Sequence, residues 1–114
     1  MAGYLNSGVN DGQFNFVSGS SFLIDKPGTY LYNCPSGTAG TAVIASGVFG
    51  VNGLATAVQI VDIAGTFAQT PVVVSGAAGS GYTFNGASTK TLNSAYEAYT
   101  GVIFSGQNFI TVNP

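Results

Sequence analysis

Short runs of apolar and β-branched residues, interrupted every few positions by Gly, Pro, Ser or Asn, run along most of this chain, and that is the pattern of strands joined by turns. The strongest example lies in the second half. Val58-Gln59-Ile60-Val61-Asp62-Ile63 and Val72-Val73-Val74 flank the connection Ala64-Gly65-Thr66-Phe67-Ala68-Gln69-Thr70-Pro71, which predicts two core strands with Phe67 plugging the end of the core between them. Val72 to Val74 is wholly apolar, as expected of a central strand. Near the C-terminus, Thr100, Val102 and Phe104 share one face of a strand while Tyr99, Gly101 and Ile103 share the other. With Phe109-Ile110-Thr111-Val112 beyond Ser105-Gly106-Gln107-Asn108, they read as a hairpin that turns one face to the core and the other to a neighbour.

The first half is built the same way. Residues 1 to 13 hold three glycines and no apolar periodicity, so they read as an N-terminal arm that folds only against something else, and residues 14 to 114 as one β-domain. Phe14-Asn15-Phe16-Val17 and Ser21-Phe22-Leu23-Ile24, separated by Ser18-Gly19-Ser20, predict a hairpin or a pair of edge strands. Asp25-Lys26-Pro27-Gly28 is a turn. The strand after it points Tyr30, Tyr32 and Cys34 one way and Thr29, Leu31 and Asn33 the other. Pro35 to Gly40 is a loop, Thr41 to Ser46 a strand, and Gly47 to Val51 a tighter segment or second strand. Gly76 to Gly81 reads as an exposed loop, and Ala87 to Glu97 as a strand with a loop. The fold expected is all-β: a small antiparallel sandwich or barrel-like domain.

Composition changes this picture in one respect. Of 114 residues, 5% are charged, against roughly a quarter in an ordinary soluble domain. Lys26, Lys90, Asp11, Asp25, Asp62 and Glu97 are the whole set, and the polar surface must be made by eleven Ser, eleven Thr and nine Asn. Such a surface repels its own copies weakly, and much of it is expected to lie against partner subunits. Two basic residues leave no footprint for nucleic acid. The first residues lack the charged and apolar regions of a signal peptide, and Ser46, Asn52, Gly53, Thr56 and Gln59 break the long apolar stretch before it reaches membrane-spanning length. Cys34 stands alone, so no disulfide forms within one chain, and it is expected to be a half-buried small hydrophobe.

Candidate chemistry is sparse. Without His, neither Ser-His-Asp nor Cys-His catalysis is open to the chain. Gly76-Ala77-Ala78-Gly79-Ser80-Gly81 lacks the Lys-Ser/Thr and following helix that a phosphate loop needs. Asp11 and Asp25 sit in turn contexts, Glu97 is expected to face water, and Asp62 is expected to end its strand by bonding loop amides. No spacing gathers metal ligands. The expectation is no enzyme, no cofactor and no metal. Tyr82, Tyr96 and Tyr99 flank the Gly-rich loop and the final hairpin, where aromatic faces beside Asn and Ser could contact a glycan.

One resemblance extends over roughly residues 28 to 112. Gly28-Thr29-Tyr30-Leu31-Tyr32 with Pro35-Ser36-Gly37-Thr38-Ala39-Gly40, the stretch Ile60 to Val74, Tyr82-Thr83-Phe84-Asn85-Gly86, and Val102 to Phe109 together resemble the small β-domains of tailed-bacteriophage structural proteins. They are strand-and-turn phrases, not an active-site motif. Phe109 departs from the pattern, since family members often carry Trp there. Such domains occur on tail fibres and spikes and in capsid decoration proteins, commonly as trimers. The resemblance implies a virion protein made in the bacterial cytoplasm. A nearly free-standing domain with an arm suits a head decoration, or cement, protein whose partners are itself, as a homotrimer, and the major capsid protein at the capsid surface. On that reading Tyr4, Leu5, Phe14 and Phe16 dock on the capsid, and Phe104, Phe109 and Ile110 form the trimer seam. The alternative is a tail-fibre or spike module recognising a host surface glycan through Tyr82, Tyr96 and Tyr99; a secreted adhesin fragment fits less well without a signal peptide.

Overall fold

The computed structural model describes residues 14–37, 39–47, 49, 56–104 and 106–112, so the arm expected over residues 1 to 13, with Tyr4 and Leu5, lies outside the described residues, as does most of the segment from Gly47 to Val51. The protein is all-β. Its strands are β1 (Phe14–Ser18), β2 (Ser21–Ile24), β3 (Gly28–Asn33), β4 (Gly40–Ile44), β5 (Thr56–Asp62), β6 (Val72–Gly76), β7 (Thr83–Phe84), β8 (Thr89–Leu92), β9 (Ala98–Ile103) and β10 (Asn108–Thr111). They form a four-stranded sheet in the order β8-β6-β4-β2 and a six-stranded sheet in the order β1-β3-β5-β9-β10-β7.

The pairing corrects the antiparallel expectation. From β1 to β6 the chain alternates between the two sheets at every strand, so each strand pairs in parallel with the one two places away. Thus β1, β3 and β5 run together in the larger sheet, and β2, β4 and β6 in the smaller. Each consecutive pair is one rung of a flat wrap. Among the described residues antiparallel pairing is confined to the C-terminal part, with β8 on β6, β9 on β5 and the β9–β10 hairpin, while β10 pairs in parallel with β7. Ser18-Gly19-Ser20 is therefore an arc from one sheet to the other and not a hairpin, while among the described residues β1 and β2 each stand at the end of their sheet. Alternation of side chains tells which face of a strand is apolar, and a parallel wrap and an antiparallel sandwich require the same faces.

The faces themselves are as the pattern implied. Tyr30, Tyr32 and Cys34 point inward with Ile24, Ala42, Ile44, Val58, Ile60, Val72, Val74 and Ile103, and Phe67 closes the core between the strands it joins. Cys34 is fully buried, not half-buried. Aromatic rings fill the space between the sheets. Phe22 meets Tyr32 edge-on at 4.6 Å and Tyr30 at 5.7 Å, and Tyr32 meets Phe67 at 6.0 Å. At the other end Phe109 lies 5.4 to 5.5 Å from Phe49, Tyr82 and Phe84. Such pairs add to simple burial when tilted or offset. Gly40 is needed where β4 passes beside Tyr32, because a Cβ there would come 2.8 Å from the Tyr32 hydroxyl and 2.9 Å from Val72.

Buried tyrosines also set a pH limit. Burial pushes the Tyr30, Tyr32 and Tyr99 hydroxyls above their ordinary range. The Tyr32 hydroxyl donates to Gly19 O at 2.7 Å and that of Tyr30 to Lys26 O at 2.8 Å. The folded state thus holds these protons while the unfolded chain releases them above about pH 10. Their stabilisation is complete below that pH and declines as pH rises beyond it. Urea unfolding from pH 8 to 12 is expected to show stability level to about pH 9.5 and falling above pH 10, with a shallower fall in Tyr32→Phe.

Candidate functional site

Asp62 is the best-organised polar group in the chain, and its role is architectural. It ends β5 with its side chain buried. One carboxylate oxygen accepts from the amides of Ala64 (3.2 Å), Gly65 (2.8 Å) and Thr66 (3.2 Å), the other from those of Phe67 (3.1 Å) and Tyr96 (2.9 Å). Five donors satisfy the charge that burial would otherwise penalise. The bond to Tyr96 also holds that residue at a φ of 58°, with its ring over Gly65. A side chain on Gly65 would strike that ring at 2.5 Å. Glu97, expected to face water, is half-buried instead, its carboxylate taking the amides of Asn93 and Ser94 at 3.0 Å each. Among the described residues no three His, Cys, Asp or Glu side chains stand close enough to share a metal ion.

Asparagine at position 62 would turn an amide donor toward donors. Asp62→Asn is therefore expected to cost about 3 kcal/mol or more, read as a lower urea midpoint with an unchanged slope.

The feature with room for a partner is the outer face of the six-stranded sheet. Strand register lays Phe14, Thr29, Gln59 and Thr100 in one row, and Phe16, Leu31, Val61 and Ala98 in the next; Ala57, Val102 and Ile110 form a third. None of these side chains ionises. Phe16 is 79% exposed and Phe104 64%, with Phe14, Ile110 and Val112 also open to solvent. Val102, Phe104, Asn108, Ile110 and Val112 line a groove of about 530 Å³. A smaller one of about 370 Å³ lies over Thr29, Gln59 and Thr100, which are tied in a ladder: the Thr29 hydroxyl donates to Gln59 at 3.1 Å, and the Gln59 amide donates to Thr100 at 3.1 Å. Groups that satisfy one another in this way let the face remain neutral without leaving polar atoms bare.

Among the described residues charge is kept off this face. Asp25 and Lys26 stand in the exposed turn before β3, Glu97 belongs to the turn before β9, and Asp62 is buried. Lys90 pairs with the inward-facing Val74 and sets its ammonium 5.9 Å from the Tyr99 ring centre. Asp11 lies outside the described residues.

The candidate residues divide accordingly. Phe14, Phe16, Phe104 and Ile110 lie on or beside the neutral face. Phe109 is a correction: it is fully buried among Phe49, Tyr82 and Phe84, on the opposite side of its strand from Ile110, so it is unable to form a seam. Tyr82 and Tyr99 are corrected likewise, being buried between the sheets and closed to a glycan. Tyr82 accepts from the Phe49 amide at 3.0 Å. Tyr96 alone of that trio is open, at 71% exposure. Leu31 and Val102 lie half-buried on the sides of their strands opposite Tyr30, Tyr32 and Ile103, as alternation implied, and register sets Val61 beside Leu31.

Compared with known proteins, the chain matches no protein-family model, and no curated protein is significantly similar to it in sequence.

Truncating the two kinds of phenylalanine should separate core from face. Phe109→Ala is expected to lose about 3–5 kcal/mol. Phe104→Ser is expected to change single-chain stability by no more than about 0.5 kcal/mol. Chemical denaturation at a concentration where the protein is monomeric makes the comparison.

Proposed function

We propose that this chain is a non-catalytic structural protein of a tailed-bacteriophage virion, a head decoration protein that binds and stabilises the capsid lattice as a homotrimer. The observation that carries the assembly part of this reading is the uncharged outer face of the six-stranded sheet, with Phe14 and Phe16 at one side and Phe104 and Ile110 at the other. Apolar area removed from water stabilises a contact by roughly 25 cal/mol per Å² before association costs. A face without charge loses little by desolvation. The virion part rests on the strand-and-turn phrases between residues 28 and 112. Phe14 and Phe16 are assigned to the major capsid protein, Phe104 and Ile110 to the trimer seam.

A second reading has one observation in its favour. Among the described residues β1 to β6 form a parallel wrap that changes sheets at every strand, an arrangement suited to continuing a repetitive shaft, as in a tail fibre. The exposed Tyr96 ring would then be the host-glycan contact.

Purified protein added to phage shells lacking it tests both. A decoration protein binds the shells and raises the temperature at which they rupture, and Phe14→Ser/Phe16→Ser weakens that binding tenfold or more, about 1.4 kcal/mol. Indifference to shells, with binding to host cells that Tyr96→Ala abolishes, would replace it with the fibre reading.

A further inference from the structure

Among the described asparagines only Asn85 is followed by Gly. In such a pair the glycine amide nitrogen can reach the side-chain carbonyl carbon of the asparagine, because no Cβ stands in its way. Here the pair makes the two-residue turn after β7. Asn85 and Gly86 both have positive φ, 51° and 87°, and Phe84 and Ala87 close the turn with amide-carbonyl bonds of 2.7 and 3.0 Å, the geometry that Asn-Gly favours. The turn itself leaves the Gly86 amide and the Asn85 side chain unused, and β10 takes both. The Gly86 amide donates to Asn108 Oδ1 at 2.9 Å, an oxygen that also accepts from the Thr83 hydroxyl at 2.9 Å. The Asn85 carboxamide lies along Thr111: its Oδ1 accepts from the Thr111 amide at 3.1 Å, and its Nδ2 donates to Thr111 Oγ1 at 3.1 Å. Asn85 and Gly86 are exposed, so water reaches them.

We propose that Asn85 is a latent self-modification site, at which the chain's own Gly86 amide converts the asparagine to aspartate or isoaspartate whenever β10 releases the turn. In the first step Gly86 N loses its proton and bonds to Asn85 Cγ; the Cγ–Nδ2 bond breaks, and Nδ2 leaves as ammonia with that proton. In the second step water opens the five-membered imide. Cleavage between the nitrogen and Cγ gives aspartate, and cleavage between the nitrogen and the Asn85 main-chain carbonyl carbon gives isoaspartate. While the turn is docked neither group is free to react: the N–H of the nucleophile is committed to Asn108, and the carboxamide is pinned at both ends by Thr111. Strands β7 and β10 share two register pairs, Thr83 with Asn108 and Phe84 with Phe109, so these side-chain bonds carry much of the docking. The product undoes them. A carboxylate has no donor for Thr111 Oγ1, and isoaspartate lengthens the two-residue turn by one carbon. The reaction also places a negative charge next to Gly86, whose partner Asn108 lines the uncharged groove. The inference stands on the turn geometry and not on the virion reading.

Peptide mapping of the full chain during incubation in mildly alkaline buffer tests this, with Asn85-Gly86 resolved from the chain's other Asn-Gly pair, Asn52-Gly53. Native protein is expected to lose Asn85 about tenfold more slowly than the same chain in urea, because the Gly86 amide must first give up a hydrogen bond. Asn108 is exposed, so serine there is compatible with the fold, which circular dichroism checks. Asn108→Ser removes the acceptor and is expected to raise the native rate about tenfold. Asn108→Asp keeps an oxygen for the Gly86 amide and should stay close to wild type. Hydrogen exchange at Gly86 should rank the proteins in the same order, while the amides of β5 exchange alike in all of them. The proposal is overturned if Asn85 is lost as fast in the native protein as in urea, or if Asn108→Ser leaves the rate unchanged. It is also overturned if Asn108→Asp accelerates the loss as much as Asn108→Ser, or if faster loss comes only with faster exchange in β5, which would mean that general unfolding and not release of the turn sets the rate.

Discussion

The buried carboxylate of Asp62 is the joint on which this architecture turns. In a wrap that changes sheets at every strand, the connections between layers must cross the end of the core, where backbone amides have no ladder partner. Asp62 gathers four consecutive amides from Ala64 to Phe67 on the way from the larger sheet to the smaller. It takes a fifth, from Tyr96, on the return between β8 and β9. Around it the Asp62 amide donates to Glu97 O at 2.9 Å, and the Ile63 amide to Tyr32 O at 3.2 Å. One side chain thereby holds the outgoing and the returning connection in register, and lets Phe67 enter the core directly behind it.

Parallel wrapping and antiparallel closure have different consequences for the surface. In the parallel stack the chain passes from one layer to the other at each strand, so β1 pairs with β3 and β2 with β4 and not with each other. The C-terminal strands close the other side, where β8 and β9 reverse direction against β6 and β5. The aromatic cluster of Phe49, Tyr82, Phe84 and Phe109 seals that closure from within. With a single cysteine, the fold depends on this packing and on the amide-carboxylate joint.

Charge scarcity acquires a location in three dimensions. Five of the six ionisable Lys, Asp and Glu side chains are among the described residues, and each is in a turn, buried, or turned toward the core. The outer face of the larger sheet is left to Thr, Gln, Asn and apolar groups. Neutrality therefore belongs to a particular surface and not only to the average composition, and the proposed assembly role rests on that surface.

How much was legible from the residues depends on the range of the interaction. Strand positions, the inward set of Tyr30, Tyr32 and Cys34, the Phe67 plug, the amide-binding role of Asp62 and the two faces of the last hairpin follow from alternation and turn chemistry, which act over a few residues. Pairing does not: β1 to β6 would show the same apolar faces in an antiparallel sandwich, and only long-range register chose the parallel wrap. Phe109 and Ile110 are adjacent and alike in hydrophobicity, yet one is core and the other surface, because strand phase within the finished sheet decides. Tyr82, Tyr96 and Tyr99 likewise differ only by what encloses them. Composition determined that this chain is poor in charge and local stereochemistry that it is all-β; the stacking of its two sheets decided which of its aromatic rings remain outside.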